Sequence, residues 1–154
     1  MNLIKKLLVS LFLLVSNFAN GGEIALTFDD VPLAGSSLVS GEDKTEKIIQ
    51  ALKSRGVDDA LFFVTTKNIS DEAALKRVQR YAQAGFHLAN HSHAHLSANK
   101  IEPDEYLADV FTSHLILQQF DGFSKLHRHP FLHQGRDEQT RETIWKGEKE
   151  RKFY

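Results

Sequence analysis

Residues Ala60 to Val64 read ALFFV, five consecutive apolar side chains with no polar residue among them. Successive side chains of a strand point to opposite faces. Such a run is therefore stable as a strand only where both faces are covered, as in a parallel sheet flanked by helices. This run constrains the fold more than any other stretch of the chain.

Its surroundings fit that frame. Glu23 to Phe28 (EIALTF) reads as a first strand that ends at Asp29-Asp30, and a Pro/Gly/Ser loop follows from Val31 to Gly41. Asp43 to Arg55 predicts a helix with Ile48, Ile49 and Leu52 on one face and Gly56 as its stop. Ser70 is a suitable N-cap for the next helix, with Asp71 and Glu72 in its first turn. Leu75, Val78 and Ala82 form its apolar stripe, and Gly85 ends it. Phe86 to Asn90 predicts a third strand. Pro103 opens a third helix, whose stripe is Leu107, Val110, Phe111, His114 and Leu115 and which runs to about Phe120. Lys125 to Arg128 predicts a fourth strand, and Asp137 to Lys149 a strongly charged helix. Strands alternating with helices mean an α/β fold, with parallel strands and right-handed crossovers as the default.

The first residues stand apart. Lys5 and Lys6 precede an apolar run from Leu7 to Val15, and Ala19, Asn20, Gly21 and Gly22 follow. This is the order of a secretory leader, with cleavage expected after Gly21. The run is too short to span a bilayer, which takes about 20 residues. The expected organisation is a leader over 1–21 and one domain over 22–154, exported to a periplasm or the outside, with no membrane span once the leader is removed. The chain has no cysteine, hence no lipid-anchoring thiol and no disulfide framework. Its formal net charge of −1 gives no basic surface for nucleic acid.

Ligand chemistry in open α/β folds gathers at the C-terminal ends of the strands. Asp29 and Asp30 stand after the first strand. His91, Ser92, His93 and His95 stand after the third. Arg128, His129, Pro130 and Phe131 stand after the fourth. Singly, each set has a plainer reading: a capped turn, a solvated loop, a proline turn. In parallel strands, all three fall on one rim. His91 and His95 are four apart, a spacing that in a helical turn puts both on one face and His93 away from it. Two imidazoles and a carboxylate make a three-ligand site for a borderline divalent metal with an open position. Adjacent aspartates on an extended chain point to opposite sides, so one can bind the metal while the other handles a proton.

LTFDDVP, HSHAH and RHPF, in this order after successive strands, resemble the first three motifs of the polysaccharide deacetylase family (the NodB-homology domain, carbohydrate esterase family four). The resemblance runs from Glu23 to the end of the chain. It implies a distorted (β/α) barrel that removes acetyl groups from N- or O-acetylated glycans. It implies that Asp30, His91 and His95 hold the metal, usually zinc (Zn2+). Asp29 becomes the general base, held by Arg128. Pro130 and Phe131 face the substrate, and the Phe131 backbone N–H helps bind the oxyanion. Ser92 braces the histidine loop. His87, His93, His129 and His133 receive no ligand role, with His93 expected at the mouth of the site.

The sequence departs from the family pattern in three places. Val31 replaces a Gly that usually follows the Asp pair, and Phe131 stands where Tyr is common. The family's later motifs, an Asp-Trp pair that supports the Arg and a Leu-His pair that supplies the leaving-group acid, have no counterpart. Trp145 sits in a charged helical run, TRETIWKGEKE. The expectation is an incomplete barrel of about four βα units out of seven or eight, with two open edges and poorly covered ALFFV and FHLAN runs, marginally stable and impaired in turnover. Three readings follow: a secreted metal-dependent glycan deacetylase, a non-catalytic metal-binding remnant of one, or a different metallohydrolase with the same rim. The acetylated glycan stays open among chitin oligomers, peptidoglycan, other amino-sugar polymers and xylan. Two His and a carboxylate also admit cobalt, nickel or iron. Oligomeric state leaves no trace in the residues.

Overall fold

The computed structural model describes residues 24–152. The expected leader over 1–21 and the start of the expected first strand at Glu23 lie outside the described residues. Four strands form one parallel sheet in sequence order. They are β1 (Thr27–Val31), β2 (Leu61–Val64), β3 (His87–Asn90) and β4 (Phe123–His127). The helices are α1 (Gly41–Lys53), α2 (Glu72–Gln83), α3 (Pro103–Leu117) and α4 (Glu138–Glu150). This is the α/β architecture the sequence predicts: four βα units of a parallel sheet, open at β1 and β4.

β1 lies further along the chain than expected. The Asp29-Asp30 pair is inside the strand, and the register shifts between Phe28 and Val31. Helix caps decide the other boundaries. Ser40 accepts the Asp43 N–H and starts α1 two residues early. At α2 the cap is Asp71 instead of Ser70, and its carboxylate accepts the Ala74 N–H at 2.7 Å. Such a cap is worth about 1 kcal/mol. Gly85, at φ +85, turns the chain out of α2 into β3.

The outer face of the sheet carries the main core. Phe62 is fully buried and stacks on Phe28 and on Tyr81 of α2, with Phe86 tilted against it. Ile49 and Leu52 of α1, Val78 of α2 and Leu117 of α3 complete the cluster. Burying one such aromatic contributes roughly 1.5–3 kcal/mol. A second cluster, Ala98, Tyr106, Leu107, Val110 and Ile144, joins α3 to α4.

Two expectations need correction. The apolar face of α3 is Tyr106, Leu107, Val110, Ser113 and Leu117, while Phe111 and Leu115 are 41% and 43% exposed. The helix is rotated because Tyr106 must seat beneath the end of β4, where its hydroxyl meets His129 at 2.7 Å. The ALFFV and FHLAN runs are also better covered than their open sheet suggests. Ala60, Phe62, Phe63, Val64, Phe86, Leu88 and Ala89 are all buried. On the inner face, the Arg128 guanidinium lies 4.1 Å over the Phe63 ring and covers it.

Candidate metal centre

The ladder bonds continue past the strand ends and align the rim. Thr65 N–H donates to Val31 O, His91 N–H to Val64 O, and Arg128 N–H to Asn90 O, each at 3.0 Å. These bonds bring residues 30, 65, 91 and 128 into one row although they are far apart in sequence.

At the centre of the row, Asp30 Oδ1 lies 3.2 Å from His95 Nε2 and 3.8 Å from His91 Nε2. The two imidazoles meet edge to face with centroids 5.0 Å apart. One ligand atom from each of the three residues lies within 4.8 Å of the others. His91 is buried, and its Nδ1–H donates to the Arg128 carbonyl at 2.8 Å. That bond assigns the proton to Nδ1 and leaves the Nε2 lone pair facing Asp30, the usual outer support of a metal-binding histidine. Burial holds the His91 imidazole below the ordinary histidine range, against the pull of the Arg128 carbonyl and the Asp29 and Asp30 charges. A neutral imidazole is the form a cation needs. Two nitrogens and one carboxylate oxygen suit a borderline divalent ion.

The histidine loop is not a helical turn. It is an irregular segment in which Ser92 and His95 take left-handed φ values of 65° and 55°. Asp30 does the same at 63°. Its backbone is therefore not extended there, and both aspartates act electrostatically on His91. Non-glycine residues in this region are uncommon and concentrate at functional sites.

Arg128 Nη1 donates to Asp29 Oδ1 at 2.7 Å and to Thr27 Oγ1 at 3.0 Å. Phe131, at φ 57°, sets its ring edge-on to His95 with centroids 4.6 Å apart and stays 60% exposed. Pro130, beside it, is buried. Beside Asp30 and His95 an open cleft of about 350 Å³ runs along Pro32, Leu33, Thr65 and Asn68.

Residues 17–145 match the polysaccharide deacetylase family profile. The chain belongs to the polysaccharide deacetylase family. A peptidoglycan-N-acetylglucosamine deacetylase of Bacillus cereus is 33% identical over 113 residues, covering 73% of this chain and 37% of its own length. The crystal structure of a peptidoglycan N-acetylglucosamine deacetylase in complex with an N-oxidanyl-benzamide is 28% identical, with a TM-score of 0.63 over 83% of this chain and 55% of that one. An acetyl xylan esterase of Clostridium thermocellum with a cobalt ion shares the fold at 21% identity and a TM-score of 0.61, covering 80% and 53%. The chain thus spans roughly a third to a half of the relatives it matches.

Within this deacetylase-family rim, sequence reasoning missed three supports. Asp109 of α3 accepts the N–H groups of His93 and Ala94 at 3.0 and 2.9 Å. Asn90 is buried, accepts the Ser92 N–H and donates to the Val110 carbonyl. Thr65 Oγ1 donates to Asp30 Oδ1 at 3.3 Å. An acidic residue one position before the buried Val110 was the available signal for Asp109. Ser92 Oγ accepts the His95 N–H at 3.0 Å, as the resemblance implies. His93 is half-buried, with Nδ1 3.0 Å from Thr66 Oγ1.

Proposed function

We propose that the chain carries the metal-binding and general-base part of a hydrolase centre that removes acetyl groups from an exported, acetylated glycan. The observation that supports this most is the pairing of two arrangements on one rim: Asp30 between His91 and His95, and Asp29 fixed by Arg128 at 2.7 Å. Asp30, His91 and His95 would hold a divalent ion, zinc by family custom. When bound, that ion supplies a Lewis acid that polarises the acetyl carbonyl and makes water more acidic.

The chain's own residues supply the rest. Asp29 accepts a proton from the attacking water as the water oxygen bonds to the carbonyl carbon; collapse of that adduct breaks the bond from the acetyl carbon to the sugar's nitrogen or oxygen, which takes up the proton Asp29 received. Arg128 holds Asp29 in place through the hydrogen bond it donates at 2.7 Å. The Phe131 N–H donates to the carbonyl oxygen as it gains charge, a preorganised contact that strengthens on the way to the transition state. The exposed Phe131 ring and the cleft beyond Asp30 offer an apolar wall and a channel to a sugar chain. An amino-sugar polymer of the cell envelope suits the expected leader over 1–21, and among the described residues no helix is long and apolar enough to cross a membrane.

A module that binds the ion without turnover is the alternative reading. One pair of assays separates the two. Zinc titration by calorimetry reports the metal site. Acetate release from N-acetylglucosamine oligomers, peptidoglycan and acetyl xylan reports turnover. Release abolished by chelation and by Asp29→Asn supports hydrolysis. Zinc binding with no release on any glycan leaves the module reading. A chain that binds no zinc sinks both.

A further inference from the structure

On the opposite side of β4 from the Asp29–Arg128 pair lies a second cluster. Side chains alternate along a strand. His127 and His129 flank Arg128 in sequence, and they turn under α3 and α4 while Arg128 reaches Asp29. His127 is 3% exposed at its side chain, and neither ring nitrogen has a hydrogen-bond partner. Its Nδ1 lies 2.9 Å from Glu148 Oε1, which also lacks a hydrogen bond. The two atoms are in contact but misaligned for donation. Glu148 Oε2 lies 3.6 Å from His129 Nε2. Among the described residues no Lys or Arg pairs with this buried carboxylate.

We propose that His127, His129 and Glu148 form a second divalent-metal site, structural in role, that ties the end of β4 to α4. Ligands about 2.1 Å from a tetrahedral ion sit roughly 3.4 Å apart. The observed 2.9 and 3.6 Å bracket that spacing, and the three donor groups lie within 4.8 Å of one another. One cation would satisfy the orphaned His127 nitrogen and the orphaned Glu148 oxygen together, which no rotation of either side chain toward water can do while both stay buried. The outer support is present as well. Tyr106 is fully buried, stacks on the His129 ring at 5.6 Å and holds its hydroxyl 2.7 Å from Nδ1; in the tautomer with the proton on Nδ1, Tyr106 accepts and Nε2 is free to bind. A cavity of about 320 Å³, lined by His129, Gln134, Arg141, Trp145 and Glu148, gives the ion an entry path and room for a water as fourth ligand. His, His and Glu favour zinc or cobalt over magnesium or calcium. The clamp also fixes Arg128 between two ligands, so it braces the catalytic rim from behind. This inference does not depend on the acetyl reading.

The test uses the full chain, stripped with chelator and titrated with Zn2+ and Co2+. Bound metal is counted by elemental analysis after desalting, and each protein's fold is checked by circular dichroism. The expected stoichiometry is two per chain. Asp30→Ala with His95→Ala reduces it to one. Glu148→Gln in the native background also reduces it to one, and the three changes together reduce it to none. Co2+ in the Asp30→Ala/His95→Ala protein shows visible absorption that Glu148→Gln abolishes. A native stoichiometry of one that Asp30→Ala/His95→Ala removes overturns the proposal and leaves a plain His127–Glu148 ion pair. If the Asp30→Ala/His95→Ala protein does not fold, Glu148→Gln alone decides: a fall from two to one supports the site, and an unchanged count overturns it.

Discussion

Arg128 and Asp29 meet at 2.7 Å across the rim, joining residues 99 positions apart in sequence. Both side chains are about a third exposed, so the pair itself contributes only about 0–1 kcal/mol to stability. Its value is positional. The same guanidinium covers Phe63, and the backbone carbonyl of Arg128 orients His91. One residue thus aims the proposed base, seals the inner face of the sheet and sets a ligand tautomer.

Arg128→Met separates these tasks. The backbone contact to His91 survives, so zinc affinity is expected to stay within about threefold of the native value. The methionine still packs on Phe63, so stability falls by only about 1 kcal/mol. Acetate release drops by more than 100-fold because Asp29 is no longer held in place. Parallel calorimetry, denaturant melts and acetate assays check the three values. Loss of zinc binding with turnover kept would reverse this assignment of roles.

The ligands themselves have a sharper signature. His95→Ala leaves Asp30 and His91 as a two-point site, and Asp30→Ala removes the only anionic donor in the group. Losing an outer support typically costs 10–100-fold in affinity, so losing a ligand should exceed about 100-fold. Competition with a chromophoric chelator measures this directly. His93→Ala, whose ring meets Thr66 Oγ1 at 3.0 Å, should change affinity little.

Asp109 tests the loop's scaffold. Its carboxylate gathers two backbone N–H groups that hold the turn between His91 and His95. Asp109→Ala leaves both donors unpaired and lets His95 wander; zinc affinity is expected to fall 10–100-fold with the helices intact. Asp109→Asn keeps one acceptor oxygen and should fall between. An Asp109→Ala protein with native zinc affinity would show that the left-handed Ser92 and His95 hold themselves.

These residues differ in how legible they are in the sequence. The apolar ALFFV run dictates a buried strand, and alternation with helices dictates the parallel sheet. Together they place Asp29, Asp30, His91, His95 and Arg128 on one rim from the sequence alone. The supports are not legible in the same way. Asp109 and Asn90 act through backbone groups that only tertiary folding brings near, and no local period marks them. The α3 face is ambiguous in the sequence because Phe111 and Leu115 fit a helical stripe equally well, and only the docking of Tyr106 under β4 chooses between them. The His127–Glu148 contact joins residues 21 positions apart on different elements, so no spacing rule reaches it.

Acid should unfold the metal-free chain through its buried imidazoles. Burial pushes His129 down to about 4, against the charge of Glu148, and lowers His91 as well. In the unfolded chain both return to about 6.5. Between pH 6.5 and about 4 the unfolded state therefore holds more protons than the folded one, and stability must fall as pH falls. Above pH 6.5 the contribution is complete and flat. For His129 alone, a depression of about 2.5 units corresponds to about 3 kcal/mol over the window. Urea melts of the chelated protein at pH 7.5, 6.0 and 4.5 measure the slope. His129→Gln, which cannot protonate, should flatten the slope by about that amount, and saturating zinc at pH 7.5 should steepen the acid loss by adding a ligand that protons displace. A slope unchanged by His129→Gln would mean that water reaches the imidazole and that the Tyr106 side of the cluster is open.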